Sequence, residues 1–343
     1  MQNKGEYSFS TCWNIKRHTD GRAMLEEIRG LGFRRVELNY NVTHEMLTTI
    51  EPMIERGEIG VSSVHNTFPH TPDPDYGTDS VLLGFEDEDK RRRAVELLVE
   101  SARYAHRFGG EAVVVHPGEV PFPVNIGKEL EILYNGEGRD SDAYRRKWAE
   151  LTERREQLAG GYVRTIIRSL DEACGRAESL GLNIRFGIET RSRPNQIPTL
   201  AEARTIIREL EGAPVGIWYD TGHAIMMDRL GLYDSVAEMD GLTDHIVGAH
   251  IHETIGLSDH WCPYVHSGDM EFYDAYLPMI GRAGVKVYEL KAACLPEEIE
   301  NSHSLLTAKL RERRGKEAGE NESAQTNGKS EGAGKGGLHD GTR

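Results

Sequence analysis

Cysteine is scarce: Cys12, Cys174, Cys262 and Cys294 are the only four among 343 residues. They form neither a CxxC pair nor a spaced framework, so a disulfide-stapled scaffold is excluded and a cytoplasmic location is expected. Long apolar runs are missing too. Nothing approaches the roughly 20 apolar residues that span a bilayer, so no membrane partner is expected. The opening stretch Met1–Tyr7 is polar and lacks the apolar core of a secretion signal. Basic residues are outnumbered, 41 Lys+Arg against 56 Asp+Glu, for a net charge of −15. That balance argues against broad, charge-driven binding of nucleic acid, which needs Lys and Arg to neutralise phosphates. A local phosphate site is not excluded, since bound cations can supply positive charge. No GxGxxG follows the first apolar run, so a dinucleotide fingerprint is absent. What the chain does have is histidine, fourteen in all, several beside Asp or Glu at the ends of apolar runs.

The length would serve two small domains or one large barrel, and periodicity decides between them. Short β-rich runs occur at Tyr7–Cys12, Arg35–Asn39, Gly60–His65, Ala112–His116, Ile184–Glu189, Val215–Asp220, Ile246–His252 and Val285–Leu290. Helical patterns fall between them at Gly21–Leu31, Thr43–Arg56, Glu88–Phe108, Val163–Leu180, Leu200–Leu210, Leu232–Met239, Glu271–Arg282 and Glu297–Arg313. Several of these helices run into glycine before the next strand, as at Leu31-Gly32, Phe108-Gly109, Leu180-Gly181 and Ala283-Gly284. Strict alternation of strand and helix calls for a parallel sheet with right-handed crossovers. The spacing predicts a single-domain α/β protein, a (β/α)8 TIM barrel, over residues 1–314. An open doubly wound sheet is the alternative.

Two stretches break the rhythm. Residues 118–161 are too long for a simple loop after the fourth strand, and their second half, Ser141–Leu158, reads as a charged helix. An insertion there would sit over the barrel mouth as a lid or as a solvated excursion. Residues 315–343 are rich in Gly, Glu, Lys, Asn and Ser, with Leu338 the one large apolar residue, and are expected to form a disordered tail.

In a parallel barrel the reactive side chains stand at the C-terminal ends of the strands. In order these ends read Val36-Glu37-Leu38, Ser63-Val64-His65-Asn66, Val115-His116-Pro117-Gly118, Gly187-Ile188-Glu189-Thr190, Tyr219-Asp220-Thr221-Gly222-His223, Ala249-His250-Ile251-His252-Glu253 and Tyr288-Glu289-Leu290-Lys291. One strand-end acid is commonly a helix cap. Seven strand ends that each deliver an acid or an imidazole to one mouth are a different matter, because uncompensated carboxylates repel and a divalent cation relieves them. Mixed Glu, Asp and His donors suit Mn2+, Co2+, Zn2+ or Fe2+ better than Ca2+.

These residues resemble the xylose isomerase-like barrels, a family that includes sugar epimerases, hydroxypyruvate and inosose enzymes, and endonuclease IV. The likeness runs from about Ser8 to Leu295 and is carried by His116-Pro117-Gly118, Gly187-Ile188-Glu189-Thr190, Asp220-Thr221-Gly222-His223-Ala224, His250-Ile251-His252-Glu253 and Val287-Tyr288-Glu289-Leu290. It implies a divalent metal held by Glu189, Asp220, His250 and Glu289. His252 is the rival for the third place; His250 is preferred because the family tends to carry an acid three residues after its ligand, where Glu253 stands.

Two chemistries follow from the resemblance. One is isomerisation or epimerisation of a sugar or sugar phosphate through an enediolate, with Glu189 and Glu289 as general base and acid. His223 would then hold a substrate oxygen, His65 and His116 would line the distal end, and Lys291 or Arg191 would meet an acidic group. The other is an endonuclease IV-like phosphodiesterase acting on abasic DNA, with three metals recruited by His65, His116, Glu189, Asp220, His223, His250 and Glu289. Asp259 and His260, or His266, would complete that cluster, although the family pair is separated by one residue and these two are adjacent. The acidic charge favours the small-molecule partner over nucleic acid. Exposed barrel helices leave room for a homodimer.

Overall fold

Eight short parallel strands close on themselves in the computed structural model, which describes residues 4–331. They are β1 (Ser8–Ser10), β2 (Arg35–Leu38), β3 (Gly60–His65), β4 (Ala112–Val115), β5 (Arg185–Glu189), β6 (Val215–Asp220), β7 (Ile246–Ile251) and β8 (Val285–Tyr288). Each pairs with its chain neighbours, and β8 with β1. The helices are α1 (Gly21–Gly30), α2 (His44–Glu55), α3 (Glu88–Arg107), α4 (Ile126–Glu137), α5 (Asp142–Ser179), α6 (Leu200–Glu209), α7 (Thr221–Leu230), α8 (Leu277–Arg282) and α9 (Pro296–Glu331). The expected (β/α)8 barrel is the architecture found. Gly32, Gly109 and Gly181 take positive φ values of 91°, 71° and 67°, as the left-handed helix stop requires, whereas Gly284 does not.

Alternation along each strand sends one set of side chains outward and the other into the barrel. The outward set, including Val113, Phe186, Ile217 and Ala249, belongs to the large core shared with the helices. A separate inner cluster is made by Ala112, Val114, Trp218, Val247, Val285 and Val287, all at most 4% exposed. The Trp218 indole fits there because its neighbours lack side chains. A Cβ on Gly187 would lie 2.9 Å from the indole, and one on Gly248 only 2.3 Å.

Three expectations need correction. The helix after β6 is not Leu232–Met239 but α7, which starts at Thr221 directly beyond the strand. Asp220 makes this possible by accepting the His223 N–H at its N-cap, and Gly231 ends the helix at φ 87°. Residues 237–239 form only a single tight turn. Second, residues 118–161 do not end before a new helix. Gly118–Glu119 pairs with Gln196–Ile197, α4 follows, and α5 then runs unbroken through Gly160-Gly161. Two glycines cost a helix about 1 kcal/mol each, but burial of Leu151, Ala159 and Val163 continues across them. The buried Arg155 adds a 2.5 Å ion pair to Glu202 and donates to the Pro194 and Gln196 carbonyls. Third, α9 continues past Gly315 to Glu331, so the start of the expected tail is helical; residues 332–343 lie outside the described residues. No helix among the described residues is long and apolar enough to cross a membrane.

Candidate metal centre

Register brings the strand ends to one level. Glu189 on β5 is level with Trp218, and Asp220 at the end of β6 faces His250 on β7. Glu289 follows β8 by one residue. One donor atom from each of Glu189, Asp220, His250 and Glu289 lies within 4.8 Å of the other three. His250 Nδ1 is the hub: it stands 3.0 Å from Glu189, 3.4 Å from Asp220 and 3.2 Å from Glu289. All four residues are buried.

A fifth residue holds the hub. The Glu37 carboxylate on β2 is 3.0 Å from His250 Nε2, and its other oxygen accepts from Ser63 at 2.8 Å. With Nε2 held by Glu37, Nδ1 is the atom turned to the three carboxylates and the one that would meet a cation among them, the arrangement in which an outer carboxylate orients a metal-binding imidazole. Glu37 was legible as a strand-end acid. Its partner was not, because β2 and β7 are not neighbours and meet only across the barrel.

Electrostatics pull these groups apart. Burial disfavours charge on each, and the neighbours decide the result. His116 and His250 hold the Glu189 carboxyl well below the usual range despite burial. For Glu289 burial prevails, with Glu189 and Glu37 adding to it, and its carboxyl is raised. His250 is lifted well above the usual imidazole range because Glu289, Glu37 and Glu189 outweigh its burial. A site that stores this much like charge in a dry mouth matches the donor chemistry of a divalent cation.

Two further groups flank the quartet. His65 Nε2 lies 3.3 Å from Glu189 Oε2, to which His116 Nε2 also bonds. On the other side His223, His252 and His260 gather. The His252 ring stacks on His260 at 4.1 Å, its Nδ1 accepts the His260 N–H, and its Nε2 reaches Asp220 at 2.8 Å. So His250, and not His252, points at the three carboxylates. His223 Nδ1 donates to the Thr190 carbonyl at 3.0 Å, which leaves Nε2 to accept. Asp259 comes no nearer than 3.8 Å to His260 and 4.0 Å to His223. His266 joins none of these groups and pairs with Glu298 at 3.2 Å. Glu253 accepts the Tyr264 N–H, a loop contact and not a site contact.

Of the two cations considered for an acidic group, Lys291 turns away to Ser258 and sits over Trp261. Arg191 faces the mouth, with Nη1 3.6 Å from Glu189 and Nη2 donating to Asp79 at 2.7 Å. Asp79 had no signal in the sequence. Burial would raise its carboxyl, but Arg191, His116 and Arg193 hold it down to about 2. A cleft of about 370 Å3 opens on the far side of Asp259, lined by none of the four residues of the centre. Asn125, which caps α4, and Lys128 in its first turn form one wall, Arg193 and Met226 stand at another, and Leu257 and Asp259 close a third.

A family model described as xylose isomerase-like TIM barrel matches residues 25–298. No curated protein matches the chain by sequence. Among solved structures, 3-keto-D-glucoside 4-epimerase from E. coli in its apo form is 17% identical, with a TM-score of 0.60, over 89% of this chain and 100% of that one. A D-tagatose 3-epimerase-like protein gives the same identity and TM-score over 91% and 99%. D-psicose 3-epimerase with D-tagatose, from Clostridium cellulolyticum H10, is 14% identical at a TM-score of 0.55 over 89% and 95%. At such identities the shared property is the fold.

Proposed function

The chain belongs to the xylose isomerase-like TIM barrel family, and from that premise we propose that it is an isomerase or epimerase of a sugar or sugar phosphate, using a divalent cation held by Glu189, Asp220, His250 and Glu289. One observation carries the reading: four buried donors from four successive strands converge within 4.8 Å. Three carboxylates and one imidazole are the donor set for Mn2+, Co2+, Zn2+ or Fe2+. Bound there, the cation would act as a Lewis acid on neighbouring substrate oxygens.

The protein's own residues do the proton work. The reaction takes a proton from carbon beside a carbonyl and returns one to the adjacent carbon or to the opposite face. Glu189 and Glu289 approach from strands three apart around the barrel, so one carboxylate accepts the proton while the other carboxyl supplies one. His223, with Nε2 left as an acceptor, takes a substrate hydroxyl. Glu37 fixes the orientation of His250. The first turns of helix α4 wall the cleft, the place from which a lid would act.

The test is solvent exchange. Metal-loaded protein incubated with a panel of ketoses and ketose phosphates in D2O should place one deuterium beside the carbonyl of the member it accepts, and Glu189→Gln and Glu289→Gln should each abolish it. Near-normal exchange in both variants would remove the two glutamates from the chemistry.

A second reading has its own observation. The His65–His116 pair and the His223–His252–His260 group could recruit more cations, as an endonuclease IV-like phosphodiesterase acting on abasic DNA would need. Arg191 weighs against a cation beside His65 and His116, because a fixed positive charge already stands 3.6 Å from their shared Glu189 oxygen. The net charge of −15 weighs against a DNA partner. Three metals per chain and cleavage of abasic DNA would reverse the order of the two readings.

A further inference from the structure

We propose that Arg191 is an anion-binding residue and that the substrate carries a carboxylate or phosphate beside the carbons that react. The inference rests on the metal-dependent reading above and narrows its substrate class from sugars in general to acidic or phosphorylated ones.

Position comes first. Arg191 follows Glu189 by two residues at the end of β5, so the strand that supplies a proposed metal ligand also supplies the guanidinium. Its side chain is 3% exposed. Nη2 is anchored on Asp79, while Nε and Nη1 are buried and make no hydrogen bond. The 3.6 Å separation from Glu189 is an ion pair and not a hydrogen bond. Buried donors are nearly always satisfied, and a guanidinium cannot shed its charge to escape the cost. Two open donors on a permanent cation therefore mark a place where acceptor oxygens belong.

Charge separates an anion from a neutral hydroxyl. The Asp79 carboxylate serves two guanidiniums, Arg191 at 2.7 Å and Arg193 at 3.5 Å. Glu189 is the other carboxylate beside Arg191; once its charge is committed to the cation, two guanidiniums share the single charge of Asp79 and one positive charge is left over. A hydroxyl would meet the hydrogen-bonding need and leave that charge unanswered, whereas a carboxylate or phosphate oxygen answers both. The acids around it set a condition. Glu37, Glu189, Asp220 and Glu289 would repel an anion, so occupation depends on the cation they hold. An anion held by Arg191 would sit beside Glu189, one of the two proposed acid–base residues.

The experiment uses Mn2+-loaded full-length protein, with metal content measured on every sample, and three probes in calorimetric titrations: glycolate, inorganic phosphate and neutral dihydroxyacetone. Arg191→Gln should bind glycolate or phosphate about ten- to a hundredfold more weakly than wild type, with dihydroxyacetone changed less than about twofold. Arg191→Lys, which keeps the charge, should recover part of the loss and separates charge from misfolding. The anion that loses affinity identifies the group as carboxylate or phosphate. Chelating the metal should abolish binding of both anions. If metal-loaded wild type and Arg191→Gln bind the two anions alike, this inference is overturned and the metal reading stands. If wild type holds no metal, the metal reading falls and takes the inference with it.

Discussion

The barrel interior changes character within two residues along a strand. Trp218 on β6 and Val285 and Val287 on β8 fill the lower layer with apolar surface. Two positions past Trp218 stands Asp220, and two past Val287 stands Glu289, in a layer of buried charge. The same period of two writes both layers, and only the residue type differs. Below, each contact removes apolar surface from water and stabilises the fold. Above, each carboxylate has lost water and gained like-charged neighbours, which costs stability until a cation arrives. A layer that the fold alone would not favour is the layer to examine for chemistry.

Cutting each layer in turn should give opposite signatures. The largest effect belongs to the mouth: Glu189→Gln or Glu289→Gln should lower kcat by about 10^2–10^4-fold with no fall in melting temperature. A substantial loss of stability in both variants would make the mouth a structural layer like the floor. Next comes the floor. Trp218→Ala should cost about 3–5 kcal/mol in denaturant unfolding of the metal-free protein, because Gly187 and Gly248 offer no side chains to refill the space. A cost below 1 kcal/mol would mean the inner layer collapses freely.

His303 sharpens the contrast, since it is a buried imidazole whose neighbours, Glu300 included, do not offset its burial as the carboxylates around His250 do. It lies under α9, its Nδ1 3.0 Å from the Tyr288 hydroxyl. Burial, with Lys4 nearby, holds it down from 6.5 to about 4. Between those values the unfolded chain binds more protons than the folded one. Stability is therefore full above about pH 6.5 and falls as pH drops toward 4, by about 3 kcal/mol in all. His303→Gln should flatten that slope in urea titrations, and an unchanged slope would assign it elsewhere. The smallest effect tests the support of the centre. Glu37→Gln should weaken metal binding by about tenfold, read by competition with a chelating dye; unchanged affinity would leave Glu37 without a part in orienting His250.

Much of this was legible in the sequence, for physical reasons that also mark where reading stops. Strand ends are visible because period-two runs finish at abrupt changes of residue type, so the acids and imidazoles there could be named as candidates; singling out Glu189, Asp220, His250 and Glu289 as one set took the family resemblance. Helix α7 was within reach, since an Asp cap and a Gly stop bracket Thr221–Leu230; the apolar pattern at 232–239 is denser and competes with it. The unbroken α5 was not, because what carries it past Gly160-Gly161 is burial of its neighbours and of Arg155 against Glu202 and the 194–196 backbone. Asp79 sits in the loop after β3, where tertiary contact alone decides that it meets Arg191. Pairings across the barrel, such as Glu37 with His250, need closure before they exist.

The central claim is that four distant residues share one cation. It is tested most directly by anomalous diffraction from crystals grown with Mn2+. The account predicts a single strong peak within about 2–2.5 Å of donor atoms from Glu189, Asp220, His250 and Glu289, absent in crystals of Asp220→Ala. Density empty among those four residues at saturating Mn2+ would contradict it.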